Sequence, residues 1–458
     1  MTIDLAITGG HVVSSEDTRL CDVLVEGEKI VGLVSPGTAP SDTSKTIDAS
    51  GLYVMPGAID VHVHTREPGY THKEDITTCT QAAVAGGVTT IFGMPNLNPP
   101  TVNRAALDDV FRLYREKSVV DFNHNPAATQ TSEFEAMADA GIAAFKIYMV
   151  VDTKRSYPHP QGTGTHNHGH LLEIMENVKP TGLPLMVHPH DQDIMDIIEQ
   201  RCWDKGDRSP RAYAETLASY DGIIWDNAIS MLLRLAETTE CPLYICHTNT
   251  WRGVELIREA KRRGINVTAE VNHWTLFLGT WDDVDQLGPY ALSYVVSDRG
   301  RDAVWEAAND GTIDFLASDH APHTREEKEK GWNDMWATHT GTPGVQYQLP
   351  LALDAVSKGK LSLQRVVAMS SSNPAQKFGL RNKGKIAPGL DADIILVNLE
   401  KKWTIRNSGV LSRCGWTPYD GRECKGFVER TLLRGQDVYS EGKVVGMPGG
   451  GRLVHPHS

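Results

Sequence analysis

Six side chains of the kinds that ligate metal ions lie at or near the ends of predicted strands. They are His62, His64, Lys146, His188, His247 and Asp319. In an α/β barrel the reactive groups project from the carboxyl ends of the parallel strands, so these positions share one rim. His62 and His64 are two residues apart, and strand alternation places both imidazoles on one face, where both can reach one ion. A single His at a strand end is more often an ordinary hydrogen-bonded group, but the convergence of five strands favours a metal site.

Lys146 is the unexpected member of this set, because an ammonium group has no lone pair to offer a cation. In one interpretation its amine reacts with carbon dioxide, and the resulting carbamate provides anionic oxygens that can bridge two metal ions. In the other, it is a lysine of the barrel interior that pairs with an acidic side chain. The residues alone favour the two interpretations equally.

The ligand types also indicate a reaction. Imidazole and oxygen ligands favour zinc first, with manganese, cobalt and iron as further candidates. Two such ions lower the pKa of a bridging water, so that hydroxide is available as the nucleophile near neutral pH. Asp319 can accept the proton as hydroxide attacks a carbonyl and then return it to the departing nitrogen. The set therefore predicts a hydrolase.

Eight short apolar runs, alternating with stretches of helical period, predict the elements that position these residues. The runs span residues 58–64, 88–94, 119–125, 143–149, 183–188, 242–247, 265–271 and 312–319. Eight βα units predict an α/β fold, the (β/α)8 barrel.

The segments outside this array, residues 1–54 and 385–458, contain short alternating runs separated by Gly, Asp and Asn. Such runs are typical of antiparallel strands. We expect the two segments to pair into one small β-sandwich domain, with the hydrolase barrel of residues 55–384 inserted between them.

Composition and charge argue against several classes of partner. The net charge of −13 opposes binding to nucleic acid or to an anionic membrane. The seven cysteines never form a CxxC pair, which argues against a disulfide framework or a thiolate zinc site and indicates a reducing compartment. No signal peptide is evident, and no window approaches about 18 uninterrupted apolar residues. We expect a cytoplasmic protein that binds neither nucleic acid nor membrane.

Motifs along nearly the whole chain carry a family resemblance. They are PGAIDVHVH (56–64), AAVAGGVTT (82–90), AFKIYM (144–149), VHPH (187–190), CHTN (246–249), SDHAPHT (318–324), NPAQKFGL (373–380) and GKIAPGLDADIILV (384–397). In these motifs the sequence resembles the cyclic amidohydrolases, the group of dihydroorotase, hydantoinase (dihydropyrimidinase) and allantoinase. The resemblance implies a metal-bearing barrel with a flanking β-sandwich, a small cyclic amide substrate and a carboxylated Lys146. It also implies a homodimer or homotetramer.

Within the group, the loops HVHTREPGYTHKED (62–75) and MPNLNPP (94–100) are most similar to dihydroorotase. In dihydroorotases an Arg after the HxH, an Asn after Met-Pro and a His after the catalytic Asp bind the substrate carboxylate. Those positions hold Arg66, Asn96 and His323. The resemblance thus implies reversible opening of dihydroorotate to N-carbamoyl-aspartate.

Each of these residues also has an ordinary interpretation. Arg66 could form a salt bridge at the rim with Glu67 or Glu74, and Asn96 could be a turn residue. Neither residue would be unusual in that role, so the carboxylate prediction depends on the three occurring together.

Two segments depart from the dihydroorotase pattern and keep other substrates open. EVNHWTLFL (270–278) stands where dihydroorotases typically have Pro-His-His, and LSYVVSDRG (292–300) stands where they often have Asn-Pro-Pro-Leu-Arg. A hydantoinase, dihydropyrimidinase or allantoinase type of activity, or hydrolysis of another cyclic imide, is therefore the alternative. A non-catalytic scaffold relative is the third hypothesis, and the complete ligand set argues against it. The long loop 151–170 carries four histidines that we expect to be solvated: His159, His166, His168 and His170.

Overall fold

The structure is a computed structural model, which describes residues 3–150, 162–291 and 297–456. Its strands fall into three groups along the chain. The N-terminal strands are β1 (Leu5–Val13), β2 (Thr18–Glu26), β3 (Lys29–Val34), β4 (Lys45–Asp48) and β5 (Tyr53–Pro56). The central strands are β6 (Ala58–Val63), β7 (Val88–Gly93), β8 (Asp121–His124), β9 (Phe145–Tyr148), β10 (Leu185–His188), β11 (Leu243–Ile245), β12 (Val267–Val271) and β13 (Phe315–Leu316). The C-terminal strands are β14 (Ile394–Thr404), β15 (Glu423–Leu433), β16 (Gln436–Ser440) and β17 (Lys443–Val444).

The central strands form the predicted barrel, and each of them lies within one of the eight predicted runs. Strands β6 to β8 pair in parallel in chain order, and so do β9 to β13. Isolated parallel bridges join the two groups, one between Val63 and His320 and one between Ala127 and Lys146. Because all eight strands run in the same direction, their carboxyl ends share one rim.

Helices follow most of the central strands. They are α1 (Ile76–Ala85), α2 (Arg104–Lys117), α3 (Phe134–Asp139), α4 (His168–Val178), α5 (Gln192–Trp203), α6 (Pro210–Leu217), α7 (Ile223–Thr239), α8 (Trp251–Arg262), α9 (His273–Phe277), α10 (Trp281–Leu287), α11 (Asp298–Asp310), α12 (Arg325–Glu329), α13 (Gln348–Ser357), α14 (Leu363–Val367) and α15 (Asn373–Lys377). Within the described ranges, no helix is long and apolar enough to cross a membrane.

Helix α8 shows how local sequence sets these elements. The Thr250 side chain accepts a hydrogen bond from the Gly253 N–H and so caps the amino end of the helix. Val254 and Ile257, one turn apart, are fully buried against the barrel. Gly264 then takes a positive φ of 81°, which a glycine adopts without steric cost, and the chain turns into β12.

Large side chains fill the barrel below the rim. Phe92, Tyr244 and Phe315 are fully buried in one cluster with Met186. Phe378 closes this cluster, with its ring centroid 5.1 Å from that of Phe92 in an edge-to-face arrangement. The rim residues therefore stand on a packed apolar floor.

The two chain ends pair in one nine-stranded sheet, in which β5 and β14 are antiparallel neighbours. Ile7 and Val25 from the N-terminal strands share a hydrophobic cluster with Ile394 and Leu432 from the C-terminal strands. The predicted β-rich unit built from both termini is thus confirmed. The domain limits at 54/55 and 384/385 stay predictions, and β5 spans the first of them.

The segment 405–422, between β14 and β15, leaves this sheet and reaches the barrel rim. The Trp416 indole N–H donates to the backbone oxygen of His323 over 2.7 Å. The Tyr419 hydroxyl is 2.6 Å from Nδ1 of His273. The C-terminal part of the chain therefore helps to fix loops that carry predicted site residues.

Candidate metal centre

Three of the predicted ligands meet where β6 and β13 end. Asp319 Oδ1 lies 3.3 Å from His62 Nε2 and 3.1 Å from His64 Nε2. Donor atoms of these three residues all lie within 4.8 Å of one another. Two imidazole nitrogens and a carboxylate oxygen form a donor set that zinc and similar divalent ions accept, so these residues fit a metal ion.

The outer nitrogens of both imidazoles are held by hydrogen bonds. His62 Nδ1 donates to Glu270 Oε1 over 2.8 Å, and His64 Nδ1 donates to Asn96 Oδ1 over 2.6 Å. Each bond fixes the tautomer in which Nε2 carries a lone pair toward the centre. Burial lowers the pKa of His62, but the negative charges of Glu270 and Asp319 together raise it to about 10, so that Nε2 must give up a proton when an ion binds. Burial and the charge of Arg66 hold the pKa of His64 well below its usual range.

His188 and His247 bring a second pair of imidazoles to the rim. His247 Nε2 lies 2.8 Å from His188 Nδ1. The backbone at His247 has a φ of 37°, and that at Asp319 a φ of 43°. Residues with a Cβ rarely adopt positive φ, and such conformations cluster at functional sites.

Indole rings pack against this second pair. The Trp225 ring centroid lies 5.9 Å from that of His188 and 5.8 Å from that of His247. The Trp274 ring centroid lies 6.1 Å from that of His247. Both indoles are almost fully buried, so His188 and His247 pack against largely apolar rings.

Lys146 points into the barrel and is fully buried. Its Nζ lies 2.9 Å from Cys246 Sγ and 5.0 Å from the ring centroid of Tyr148. No carboxylate oxygen of the described residues lies within 4.0 Å of the Lys146 Nζ. The interpretation of an acid-paired lysine therefore finds no partner in this part of the chain, and carboxylation of Lys146 stays a prediction.

Arg66 lies beside the centre as a buried cation, with 3% of its surface exposed. Its Nε donates to the backbone oxygen of Pro322 over 3.3 Å, and its Nη2 donates to His323 Nε2 over 3.2 Å. The predicted alternative, a rim salt bridge, is not formed with any acid in the described parts of the chain. Glu67 pairs instead with Lys117, and Glu74 accepts from Ser412 and His320.

Lys73 is a second buried cation on the same loop, and the sequence did not single it out. Its Nζ lies 3.3 Å from His323 Nδ1 and 2.8 Å from Glu327 Oε1. His323 thus stands between two cations, and Lys73 is the one of them that pairs with a carboxylate of the described residues. Burial, followed by the charge of Arg66, holds the pKa of His323 well below its usual range, so its imidazole is neutral.

Asn96 lies at the centre, where its side-chain oxygen accepts a hydrogen bond from His64, a predicted ligand. Contact of Asn96 with a substrate carboxylate stays a prediction. Glu270 and Cys246 were not singled out from the sequence. The sequence features that could have identified them are an acid, Glu270, inside the apolar run 265–271 and a thiol, Cys246, directly before His247.

The segments that depart from dihydroorotase are described in part. His273 is bonded to Tyr419, whereas its neighbour Trp274 packs near His247. Residues 292–296 lie outside the described residues, as does His159. Of the remaining loop histidines, His166 and His168 are exposed and His170 is half-buried, as expected for solvated side chains.

Comparison with known proteins assigns the family. Residues 53–438 match the amidohydrolase family. The chain is 33% identical over 466 residues to an allantoinase of Deinococcus radiodurans, with 100% of both chains covered. It is 32% identical over 467 residues to a dihydroorotase of Methanosarcina acetivorans, covering 98% of this chain and 95% of that protein. The solved structure of the L-hydantoinase (dihydropyrimidinase) from Arthrobacter aurescens matches with a TM-score of 0.93 and 30% identity, over 99% of this chain and 100% of that chain.

The chain therefore belongs to the amidohydrolase family. The predictions of the cyclic amidohydrolase group, of a hydrolase and of the barrel fold are confirmed. The family is metal-dependent, and the group of His62, His64 and Asp319 can bind an ion. The names of the relatives divide among three activities, so the choice of ring depends on the site itself.

Proposed function

We propose that this protein hydrolyses, or forms by the reverse condensation, a six-membered cyclic amide that carries a carboxylate. Dihydroorotate, which opens to N-carbamoyl-aspartate, is the leading case. The observation that carries the proposal is Arg66, a buried guanidinium next to the metal centre without a carboxylate partner among the described residues. A buried charge without a counterion is costly, and a substrate carboxylate would remove that cost.

The geometry of Arg66 suits such a ligand. Its guanidinium has more N–H donors than Pro322 and His323 use, so further donors are available for a carboxylate. Two parallel N–H bonds from one guanidinium hold a carboxylate strongly and in a fixed direction. The Asp319 carboxylate lies near enough for its charge to act on Arg66, which supports one site that contains both groups.

The ligand set supports a two-metal centre. His62, His64 and Asp319 would hold one ion and His188 and His247 the other, with the carboxylated Lys146 between them. Two divalent ions, when bound, polarise the amide carbonyl and supply a nucleophilic water near neutral pH. Zinc is the leading candidate, with manganese, cobalt or iron as alternatives.

Asp319 is the proposed acid and base. Its side chain is 14% exposed, whereas that of His62 is 2% exposed, so Asp319 is more open toward the substrate. It takes a proton from the attacking water as the carbonyl is attacked, and it passes that proton to the departing ring nitrogen. The two imidazoles beside it stay fixed through their bonds to Glu270 and Asn96.

The alternative substrate is a hydantoin, dihydropyrimidine, allantoin or other cyclic imide. The high structural similarity to an L-hydantoinase supports it, and so does Trp274, which places an indole near the centre in the segment that departs from dihydroorotase. A non-catalytic scaffold is not supported, since no predicted ligand is replaced and the ring centroids of His62 and His247 lie 6.2 Å apart.

Two further proposals concern the state of the enzyme. The seven cysteines are all free, which supports a reducing compartment such as the cytoplasm. A homodimer or homotetramer is proposed from the resemblance to the family.

A substrate panel tests the proposed function. Zinc-loaded enzyme is given dihydroorotate, its methyl ester, dihydrouracil, hydantoin and allantoin, and ring opening is followed for each. We expect dihydroorotate to exceed its methyl ester by at least about 100-fold in kcat/KM, and Arg66→Ala to abolish that preference. If Arg66→Ala opens dihydroorotate at the wild-type rate, carboxylate recognition by Arg66 is wrong. Faster opening of hydantoin or allantoin would select the alternative.

A further inference from the structure

Glu270 is a fully buried carboxylate directly behind the predicted metal ligands. It lies on β12, a strand that contributes none of those ligands. Its Oε1 accepts from His62 Nδ1 over 2.8 Å and from the backbone N–H of His247 over 3.0 Å. One carboxylate oxygen therefore holds ligands that come from two different strands.

The first of these bonds sets the chemistry of His62. A carboxylate can only accept, so the proton of the neutral imidazole must reside on Nδ1, and Nε2 carries the lone pair. That Nε2 is the atom 3.3 Å from Asp319 Oδ1. A negative charge on the far side of an imidazole also makes the ring a stronger electron donor.

The second bond acts on the backbone of His247. Its φ of 37° is unfavourable for a residue with a Cβ, and surrounding contacts must hold it there. The bond from its N–H to Glu270 is such a contact. A second backbone bond supports it, because the N–H of the next residue, Thr248, donates to the backbone oxygen of Glu270 over 2.9 Å.

Two further donors fix the carboxylate itself. The Tyr244 hydroxyl donates to Oε2, and the Asn272 side-chain amide donates to Oε1 over 3.3 Å. Tyr244 is fully buried in the barrel floor, so its phenol cannot move far. The carboxylate is therefore held by rigid groups on both of its oxygens.

We propose that Glu270, supported by Tyr244, is the positioning residue of the metal centre and sets its affinity for the ion held by His62. The inference rests on the metal site of the proposed function and extends it to a residue that does not touch the ion. Partners of this kind typically contribute about 10- to 100-fold to metal affinity.

Metal affinity of the wild type and of Glu270→Gln tests this, measured by zinc titration against a competing chelator. The variant keeps the size and an acceptor oxygen but removes the charge. We expect its affinity for one of the two zinc ions, the ion held by His62, to fall about 10- to 100-fold, with an unchanged far-ultraviolet circular dichroism spectrum. Glu74→Gln is the matched control, because Glu74 is also fully buried and bonded to a histidine, His320, that is not a predicted ligand. Its zinc affinity should equal that of the wild type.

Tyr244→Phe keeps the proposal testable if Glu270→Gln fails to fold. This variant retains the bond between His62 and Glu270 but frees one carboxylate oxygen. We expect a smaller loss of zinc affinity in the same direction, and a shifted visible absorption spectrum of the cobalt-loaded enzyme. Wild-type affinity and an unchanged cobalt spectrum in both variants, or in Tyr244→Phe alone if the other does not fold, would overturn the inference. If the wild type itself binds no zinc, the proposed function fails first.

Discussion

Arg66 Nη2 lies 3.2 Å from His323 Nε2, and this bond helps to hold a buried guanidinium whose charge acts on His64. Because the imidazole is neutral, its Nε2 can accept from Arg66. Replacement of His323 by Gln keeps an oxygen that can accept this bond, whereas replacement by Phe leaves no acceptor. We expect His323→Phe to raise KM for the carboxylate substrate by roughly 10- to 100-fold, in proportion to a lost bond to a charged group.

His323→Gln serves as the matched control for this prediction and should stay closer to the wild type than His323→Phe. Steady-state kinetics with dihydroorotate supply KM and kcat separately. Equal KM values for the two variants would show that acceptance of the Arg66 hydrogen bond is not the role of His323.

Carbon dioxide should be required to build the centre. Apoenzyme reloaded with zinc in buffer free of carbon dioxide should remain inactive and should recover when bicarbonate is added, because Lys146 needs its carbamate to act as a ligand. Lys146→Met should bind fewer than two zinc ions and should show no bicarbonate effect. Activity assays combined with metal analysis supply both readings.

Native mass spectrometry can locate the modification. The loaded wild type should carry the added mass of carbon dioxide, and Lys146→Met should not. Lys383, a buried lysine whose Nζ lies 2.7 Å from Asp121 Oδ2, is the matched control for burial. Lys383 has acid partners, so Lys383→Met should keep the added mass. Full activity without carbon dioxide would contradict the bridging role of Lys146.

Asp319→Asn separates proton transfer from metal binding. The amide retains an oxygen that can contact an ion, but it cannot accept the proton from the attacking water. We expect kcat to fall about 10²- to 10⁴-fold with KM changed far less. Metal content measured on the same sample shows whether the ions are still bound. A variant that keeps both ions and a wild-type kcat would exclude Asp319 as the base.

The barrel and the positions of the proposed ligands on its rim were predictable because both depend on short periodicities. Eight apolar runs identify eight strands, and parallel strands carry their carboxyl ends to one rim. The separation of His62 and His64 by two residues placed them correctly on one side. The pairing of β6 with β7 nevertheless shifts in register between Asp60 and Val63, so strict alternation does not describe the whole of β6.

Other features depend on tertiary contacts that no local pattern records. His247 and Asp319 adopt positive φ, and their side-chain directions could not be read from strand alternation. Among the described residues Arg66 has no carboxylate partner, and its neighbour Glu67 pairs with Lys117 on α2, a pairing that only the folded arrangement shows. Glu270 begins the segment 270–278 that departs from dihydroorotase. Its proposed role in positioning His62 follows only from the contact between the two side chains.

The buried Lys328 should make the free energy of unfolding depend on pH. Its Nζ is fully buried and donates to the backbone oxygens of His339 and Gly341 over 2.9 and 3.2 Å. Burial lowers the pKa of Lys328 from its ordinary value of 10.5 to about 7. Between these two values the unfolded chain binds a proton that the folded chain does not, so the contribution of Lys328 to the free energy of unfolding rises with pH. Below a pH of about 7 both states are protonated, and the folded state bears the full cost of the buried ammonium.

Lys328→Met removes this titration while keeping an unbranched side chain. We expect the stability of the variant, relative to the wild type, to be greatest near a pH of about 6 and to decline as the pH rises toward about 10. Urea unfolding of both proteins across this range supplies the difference. Lys330→Met is the control, because Lys330 is exposed and its replacement should give a difference that is nearly constant with pH. A constant difference for Lys328→Met as well would mean that Lys328 keeps the same charge in the folded and unfolded states.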